Sequence, residues 1–348
     1  MTSARGKTGS EPSAAEKVAA VEALLRNGTD VPVEIRETSM AWVFLTPAVV
    51  YKMKKPVRRN SINFTRLDLR HDACAEEVRL NRRLAADVYL GLSRLTRERD
   101  GTFSLGGTGV TTEWLVRMRR LADERFLDRR LAAGSTSEAD IDAIAERLAR
   151  FHRTCPAEHP TAGSYLGRYR ETIAETRALL SEAPFIEAAP RLARLTTLLA
   201  RVLDREPALL RRRLDTGHVV EGHGDLRPEH VWLGPPIRVI DCLELARLFR
   251  LLDPFEEYAT LAAECAALGA DWVGPRLRAA AHEHLDDDPG DRLWAFYTAY
   301  RATFRARQAL AHLLDPAPRT PGKWRPQAER YLAEAERVAP ILETPEVP

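Results

Sequence analysis

Hydrophobic and polar positions follow two different periods along this chain, and the change of period divides it into two regions. Between residues 31 and 118, short β-branched and aromatic runs separated by turn residues predict five antiparallel strands. One stretch of this region, 68–85, has helical spacing and predicts a single long helix. Beyond residue 120 almost every segment has helical spacing, which predicts a mainly helical second region.

These elements give the chain an α+β organisation in three parts. Residues 1–30 predict a polar tail and a short amphipathic helix, residues 31–118 a small antiparallel β lobe with one helix, and residues 119–348 a larger helical lobe. Helices in the last part are predicted at 137–151, 165–181, 188–214, 254–268, 272–285, 291–313 and 325–338. One small hairpin interrupts them, between Val231 and Ile240.

Composition narrows the classes of protein that fit. The chain has 348 residues, 45% hydrophobic and 29% charged, and its formal net charge of +2 gives no reason to expect nucleic acid or an anionic membrane as a partner. No run approaches the roughly 18 apolar residues of a membrane span. The four cysteines are far apart and contain no CxxC pair, which favours a reduced, cytoplasmic protein. The sequence gives no indication of the oligomeric state.

Lysine is distributed unusually. The chain has six lysines among 52 basic residues, yet three of them, Lys52, Lys54 and Lys55, lie within four positions at the end of a predicted strand. Because lysine supplies a compact point charge where arginine supplies a planar fork, this cluster is a candidate site. The alternative interpretation is a solvated strand end.

The densest polar cluster of the chain lies on both sides of the predicted hairpin. The segment 223–230, HGDLRPEH, precedes it, and Asp241-Cys242-Leu243-Glu244 follows it. Carboxylates that converge at the open end of a hairpin repel one another unless a cation or a transferable proton lies between them. Phosphoryl transfer uses such an arrangement, with one Asp on the attacking hydroxyl and another on the metal ion.

These segments resemble the protein-kinase-like fold in the form found in aminoglycoside and choline phosphotransferases. Residues 223–230 resemble its catalytic loop, Ile240-Asp241 its metal-binding Asp, and Val49–Lys52 its third strand with the phosphate-binding lysine. Residues 253–259, DPFEEYA, are similar to the DPxxDLA segment, with Glu257 at the second acidic position. The resemblance covers about 31–263. It implies a bilobal ATP-dependent phosphotransferase that acts on a hydroxyl of a small molecule, with Mg²⁺.

The resemblance also implies roles for individual residues of the helical lobe. Asp225 corresponds to the catalytic base, and Arg227 occupies the place of the catalytic-loop lysine, where it offsets charge on the transferred phosphoryl group. Asp241 corresponds to the principal Mg²⁺ ligand. Asp253 is interpreted as a structural residue that ties the catalytic loop to the helical lobe.

In the β lobe, the resemblance implies that Lys52 pairs with the ATP phosphates and with Glu76 or Glu77. Glu77 is preferred because it shares a helical face with Cys74 and Leu84. The backbone from Trp114 through Val116 to Met118 is expected to form the hinge that receives the adenine ring.

One departure from the family pattern leaves an alternative function open. The position that normally carries a second metal-binding asparagine is His230, whose imidazole is a poor ligand for Mg²⁺ and suits manganese or zinc better. Either one metal ion is used, or Glu244 supplies the missing oxygen. The alternative to an enzyme is a kinase-like nucleotide-binding or regulatory module with weak activity. A zinc triad of His218, His223 and His230 is disfavoured, since glycine and proline interrupt any helix between them.

Overall fold

Hydrophobic and polar residues alternate along the first part of the chain, and this part forms an antiparallel sheet flanked by helices. The structure is a computed structural model that describes residues 11–26, 32–59, 62–315 and 320–344. The chain divides into two units, Met1–Ala122 and Asp123–Pro348. The unit boundary therefore lies four residues beyond the predicted end of the β lobe. The N-terminal tail predicted for 1–10 lies outside the described residues, as does Val31.

Two helices and eight strands are described in the first unit. The helices are α1 (Ala14–Arg26) and α2 (Leu67–Ala85). The strands are β1 (Glu34–Glu37), β2 (Ala41–Leu45), β3 (Val49–Lys54), β4 (Arg58–Arg59), β5 (Ile62–Asn63), β6 (Tyr89–Arg97), β7 (Phe103–Leu105) and β8 (Val110–Arg119).

Among these described elements, six strands form one sheet in the order β1-β2-β3-β8-β6-β7, and every neighbouring pair is antiparallel. The strand β7 was not predicted, because it has only three residues and lies between turn segments. Its partner is β6, at the edge of the sheet. The helix α2 packs on β6 and β8 in the interior of the sheet, while α1 packs at β7. Because α2 packs on β6 and β8, the face of this helix that is turned toward the sheet is buried.

The second unit is mainly helical, as predicted, with short strands around the hairpin. Its described helices are α3 (Leu127–Ala132), α4 (Glu138–Thr154), α5 (Ala162–Ala178), α6 (Ala189–Arg205), α7 (Ala208–Asp215), α8 (Pro254–Ala267), α9 (Val273–Leu285), α10 (Gly290–Ala311) and α11 (Pro321–Glu343). Its described strands are β9 (Val220–Glu221), β10 (Val231–Trp232), β11 (Arg238–Val239) and β12 (Leu251–Leu252). Together the two units confirm the α+β class.

The helix α8 is the centre of this unit. Every residue of α8 except Ala266 is buried, and the helix packs against α4, α9, α10 and α11. Its buried residues include three glutamates, each of which contacts a basic side chain. A buried carboxylate needs such partners to offset its lost hydration. The first turn of α8 is therefore a rigid platform for the loops beside it.

One segment that was predicted as a single helix forms two helices. The segment 188–214 contains two helices, α6 and α7, which meet at Glu206 and Pro207. Proline lacks a backbone N–H and disfavours helical geometry in the residue before it. Glu206 accordingly leaves the helical region, with φ −129° and ψ 47°. No helix among the described residues is both long and apolar enough to cross a bilayer.

Candidate active site

The segment between β9 and β10 turns sharply at its start and again at its end. Gly224 has φ +86°, a conformation that favours glycine, and a side chain there would lie 3.1 Å from Arg250. A 3₁₀ turn, Pro228–His230, then leads into β10. These turns direct Asp225 and Arg227 toward solvent, while Leu226 between them is buried.

Glu257, in the first turn of α8, holds the beginning of this loop. One of its carboxylate oxygens, Oε1, accepts the backbone N–H groups of both His223 and Gly224, at 2.6 Å each. The other, Oε2, accepts a hydrogen bond from Nε2 of His152, at 2.8 Å. Burial alone would raise the pKa of Glu257, but these hydrogen bonds, led by the one from His152, lower it to about 2. Glu257 is therefore an ionised anchor for the loop backbone.

Asp253 does not have the role predicted for it. Its carboxylate contacts Arg213 and the hydroxyl of Tyr297 and caps α8 through the N–H of Phe255. Asp253 thus joins α7, α8 and α10, and the residue that ties the loop to the helices is Glu257. The difference arises because Asp253 directly follows β12 and is the N-cap of α8, whereas Glu257 lies one turn inside the helix, under the loop.

Two buried histidines fix the rest of the loop by their hydrogen bonds. His223 donates from Nε2 to the carbonyl of Ile240 at 2.9 Å, so its Nδ1 accepts from the N–H of Asp225 at 3.4 Å. His230 donates from Nδ1 to the carbonyl of Asp225 at 2.8 Å, so the neutral ring keeps a lone pair on Nε2. Burial lowers the pKa of both rings, which favours these neutral forms.

Asp225 is a partly exposed carboxylate of the loop. Its side chain is 38% exposed, and its Oδ2 lies 3.8 Å from Nη1 of Arg227. Partial burial would raise the pKa of Asp225, but the positive charge of Arg227, together with the His230 ring, holds it below its ordinary value. Arg227 also pairs with Glu229 in the same loop. Asp225 is therefore ionised at neutral pH and reachable by a ligand.

Asp241 follows β11 in a strained conformation. Its φ is +61°, in the left-handed region that costs a residue with a side chain about 1–3 kcal/mol. Its side chain is 46% exposed, and Oδ2 lies 3.6 Å from Nε2 of His230. Strain of this kind persists where the surrounding structure requires it, often at functional sites. His230 thus contacts both loops, through its Nδ1 on the Asp225 side and its Nε2 on the Asp241 side.

Nε2 of His230 and the carboxylate of Asp241 are suited to bind a divalent cation as its two protein ligands. Ligand atoms about 2.1 Å from one ion are at most about 4.2 Å apart, so a separation of 3.6 Å between His230 and Asp241 fits a shared ion. Within the described residues, no three His, Cys, Asp or Glu side chains are close enough to hold a metal ion. That Glu244 supplies a further metal-binding oxygen stays a prediction.

In the first unit, the expected ion pair between Lys52 and Glu77 is present. Nζ of Lys52 lies 2.9 Å from Oε1 of Glu77, and Nζ of Lys54 lies 2.7 Å from Oε2 of the same carboxylate. Both lysines are on one face of β3, since side chains two residues apart point the same way. Lys52 is 17% exposed and Lys54 only 2%. Glu76 pairs instead with Arg79 on the outer face of α2.

The third lysine of the cluster is also paired. Lys55 contacts Glu37, and its ammonium lies 5.0 Å from the ring centre of Trp42. The cluster is therefore not a solvated strand end. Lys52 and Lys54 share Glu77, and Lys52 is the more exposed of the two, while Lys55 pairs with Glu37.

The predicted hinge lies inside the sheet. Trp114, Val116 and Met118 belong to β8, whose residues 114–118 pair with β6 and whose residues 115–119 pair with β3. A central strand uses its backbone N–H and C=O groups in these ladders, so this segment does not offer them to an adenine ring. The prediction is corrected accordingly.

Sequence reasoning missed the roles of two residues that organise these sites. Lys54 was named only as part of the lysine cluster, although its position two residues after Lys52, on the same strand face, carried a usable signal for its role. His152 carried none, since it is one polar residue near the end of α4, and only the tertiary contact with Glu257 distinguishes it.

Comparison by sequence identifies relatives of the chain but no family model that matches it. Uncharacterized proteins of Mycobacterium bovis and of Mycobacterium tuberculosis are each 33% identical to it over 287 residues. The match covers 80% of this chain and 55% of each relative. The chain thus spans about half the length of the curated relatives it matches.

Comparison with solved structures finds proteins whose fold is similar to that of this chain. A choline/ethanolamine kinase family protein of Mesorhizobium loti is 14% identical, with a TM-score of 0.51 over 95% of this chain and 96% of that chain. A spectinomycin phosphotransferase in complex with ADP and spectinomycin is 11% identical, with a TM-score of 0.53 over 94% and 98%. An ethanolamine kinase of Plasmodium vivax is 12% identical, with a TM-score of 0.51 over 89% and 84%.

At identities this low, the likeness shows the fold. The chain has the protein-kinase-like fold of the aminoglycoside phosphotransferases and the choline and ethanolamine kinases. The fold implied by the sequence resemblance is confirmed.

Proposed function

We propose that this protein transfers the γ-phosphoryl group of ATP to a hydroxyl group of a small molecule. The observation that carries the proposal is the arrangement around His230, which contacts the backbone of Asp225 on one side and the carboxylate of Asp241 on the other. Both carboxylates are partly exposed, and one of them is ionised beside an arginine. The fold supports the proposal, because the neighbours that share it are small-molecule phosphotransferases and kinases.

Asp225 is proposed to position the attacking hydroxyl. Its pKa is lowered, so at neutral pH its carboxylate accepts a hydrogen bond from that hydroxyl and orients the oxygen for in-line attack. The hydroxyl proton passes to the Asp225 carboxylate as the new oxygen–phosphorus bond forms, while the bond between the γ-phosphorus and its bridging oxygen breaks and ADP leaves. Arg227, within 3.8 Å of Asp225, offsets negative charge on the transferred group.

Asp241 and His230 are proposed to hold the divalent cation. Mg²⁺ takes one or two protein ligands together with phosphate oxygens and water, which matches a pair that includes one carboxylate. A cation bound here would neutralise charge on the phosphates. The imidazole nitrogen favours Mn²⁺ relative to an amide oxygen, so the identity of the metal is part of the test.

Lys52 is proposed to contact the α- and β-phosphates of ATP. The carboxylate of Glu77 is shared between Lys52 and Lys54, so these three side chains together carry one net positive charge. The buried Lys54 keeps Glu77 ionised and in place, and the more exposed Lys52 is the one able to reach a ligand.

The test is metal-dependent ATP turnover by the purified protein against a panel of alcohols, sugars, amino alcohols and aminoglycosides. Asp225→Asn and Asp241→Asn are expected to lower acceptor-dependent turnover by about 10²-fold or more. Asp215→Asn serves as the matched control, since Asp215 is an exposed aspartate at the end of α7 paired only locally with Arg211. It is expected to keep full activity.

A second result would favour the alternative function. If the parent protein binds ATP with Mg²⁺ or Mn²⁺ but transfers phosphate to no acceptor, and both aspartate variants behave like it, the chain is a nucleotide-binding module. If the parent protein turns over and the aspartate variants retain its rate, the assignment of Asp225 and Asp241 is wrong.

A further inference from the structure

A buried carboxylate of the first unit contacts two cations and is not among the residues assigned above. Glu113 lies on β8, before the residues of that strand that pair with β3. Its Oε1 accepts a hydrogen bond from Nε of Arg70 and its Oε2 accepts one from Nη2, each at 2.8 Å, and Nζ of Lys17 lies 3.2 Å from Oε2. All three residues are buried. A two-point pair of this kind fixes the orientation of the guanidinium as well as its distance from the carboxylate.

The two cations reach Glu113 from helices on opposite faces of the sheet. Met53 lies in β3 between the two lysines that pair with Glu77 of α2. Successive side chains of a strand point to opposite faces. Met53 accordingly packs in a cluster with Val21 of α1, on the face away from α2. Glu113 thus receives one cation from each of the two helices.

Arg70 also holds the chain at the start of α2. The residue at the N-cap position, Arg66, has no side-chain acceptor and makes no capping hydrogen bond. Nη1 of Arg70 instead donates to the carbonyl groups of Phe64 and Thr65, at 2.7 and 3.2 Å. One guanidinium therefore ties the segment before the helix, and the first turns of the helix itself, to Glu113.

The position of α2 at Arg70 affects the lysines of β3. Arg70 and Glu77 are seven residues apart and lie on the same buried face of α2, about 10 Å from one another along its axis. Glu77 pairs with Lys52 and Lys54. The ring centre of Phe64, whose carbonyl Arg70 binds, lies 5.4 Å from Nζ of Lys54. A shift of the helix at Arg70 would therefore move both the carboxylate and the ring that hold these lysines.

We propose that Arg70, oriented by Glu113, is a positioning residue for nucleotide binding. It fixes α2 so that Glu77 keeps the ammonium of Lys52 where it meets the phosphates of ATP. The inference rests on the proposed function, because the contact between Lys52 and ATP is part of that function. Lys17 holds α1 to the same carboxylate, but its partners are Glu11 and Glu113, so it does not belong to the connection between Arg70 and Lys52.

Arg70→Met and Lys17→Met are a matched pair of variants that test the proposal. Each removes one buried cation from Glu113 and leaves the carboxylate paired with the other, so neither variant leaves that charge unpaired. Affinity is measured by titrating the purified chain with fluorescent N-methylanthraniloyl-ATP. We expect Arg70→Met to bind this analogue about tenfold more weakly than the wild type and Lys17→Met to stay within about twofold of it. Wild-type affinity in Arg70→Met, or an equal loss in both variants, would overturn the proposal.

A double-mutant cycle with Lys52→Met shows whether Arg70 acts through Lys52. If it does, adding Arg70→Met to Lys52→Met should weaken binding by no more than about twofold, because the contact that Arg70 supports is already lost. A general loosening of the first unit would weaken binding by about tenfold in both backgrounds, and that result would contradict the positioning role.

The same cycle separates this inference from the proposed function. If the wild type does not bind the analogue, or if Lys52→Met binds it as tightly as the wild type, the proposed nucleotide contact is wrong and this inference is overturned with it. If Lys52→Met weakens binding and Arg70→Met does not, only the positioning role is wrong.

Circular dichroism checks the folding of each variant. If Arg70→Met does not fold, Arg70→Lys decides, since it keeps a positive charge beside Glu113 and loses the two-point pair. Arg70→Lys should bind the analogue at least about threefold more weakly than the wild type, and wild-type affinity in this variant would contradict the proposal.

Discussion

Replacing Glu257 by glutamine removes one charge from beneath the catalytic loop and keeps the size of the side chain. The ionised carboxylate accepts the N–H groups of His223 and Gly224 and the imidazole proton of His152. A neutral amide keeps one acceptor oxygen, which accepts more weakly because hydrogen bonds to a charged group are about twice as strong as neutral ones, and it places an NH₂ group, which cannot accept, where the other oxygen was. The structure therefore predicts a loss of stability and a less rigid loop.

The size of the effect follows from the pKa of Glu257. The ordinary value of 4.5 falls to about 2 in the folded protein. At about 1.4 kcal/mol per pKa unit, this difference corresponds to roughly 3 kcal/mol of stability. Since the folded pKa is the lower one, the contribution is complete above about pH 5 and decreases as the pH falls toward 2.

Urea unfolding of the wild type and of Glu257→Gln, followed by circular dichroism at several pH values, measures this contribution. We expect the variant to be about 3 kcal/mol less stable at pH 7 and roughly half of that at pH 3. A difference that does not change between pH 7 and pH 3 would refute the linkage argument. A difference near zero at pH 7 would show that the carboxylate charge does not hold the loop.

Glu256→Gln is the matched control for catalysis. Glu256 is the adjacent buried glutamate, and it pairs with Arg168 and Arg301 and not with the loop. Both variants should lose stability, but only Glu257→Gln should lower kcat, by about 10–100-fold with little change in KM for ATP. Equal kcat losses in the two variants, measured well below their melting temperatures, would indicate a general effect of destabilisation.

The other predictions concern nucleotide and metal binding and loop packing. Lys52→Met should weaken ATP affinity in a fluorescence titration and leave stability nearly unchanged. Lys54→Met should lower the free energy of unfolding in urea by about 3 kcal/mol, because Lys54 is the buried partner of Glu77. The reverse pattern would show that the roles of the two lysines are exchanged. His230→Asn should keep or raise Mg²⁺-supported turnover and lower the preference for Mn²⁺, and a large loss with Mg²⁺ would contradict the ligand assignment. Gly222→Ala places a methyl group 2.8 Å from the Glu257 carboxylate and should lower kcat and the melting temperature together, so unchanged values of both would show that the loop tolerates displacement.

Local patterns were sufficient to predict most of the fold. The sheet strands and α2 follow from period-two and helical spacing, which depend on residues close together in sequence. The errors come from positions where a short element or a single residue decides the outcome. The strand β7 has only three residues, and Pro207 divides a segment whose hydrophobic spacing continues across it.

Residues of the candidate site were predicted only where they belong to a recognisable sequence motif. Asp225, Asp241 and Lys52 were identified in this way, and the structure places His230 between the first two. The hinge was misplaced because a hydrophobic run does not show which strand lies at the centre of a sheet. His152 was missed because its partner is 105 residues away, and no local pattern contains such a pair.

Each unit relies on a buried glutamate that serves several donors at once. Glu77 holds two lysines, and Glu257 holds two backbone N–H groups together with a histidine. In both cases the buried carboxylate is removed from water, which is energetically unfavourable. The group proposed to contact the ligand, Lys52 or Asp225, remains partly exposed. Substituting an exposed group should therefore change activity with little effect on stability, while substituting a buried glutamate should change both. This separation is why paired stability and activity measurements can distinguish residues that touch the substrate from those that hold them in place.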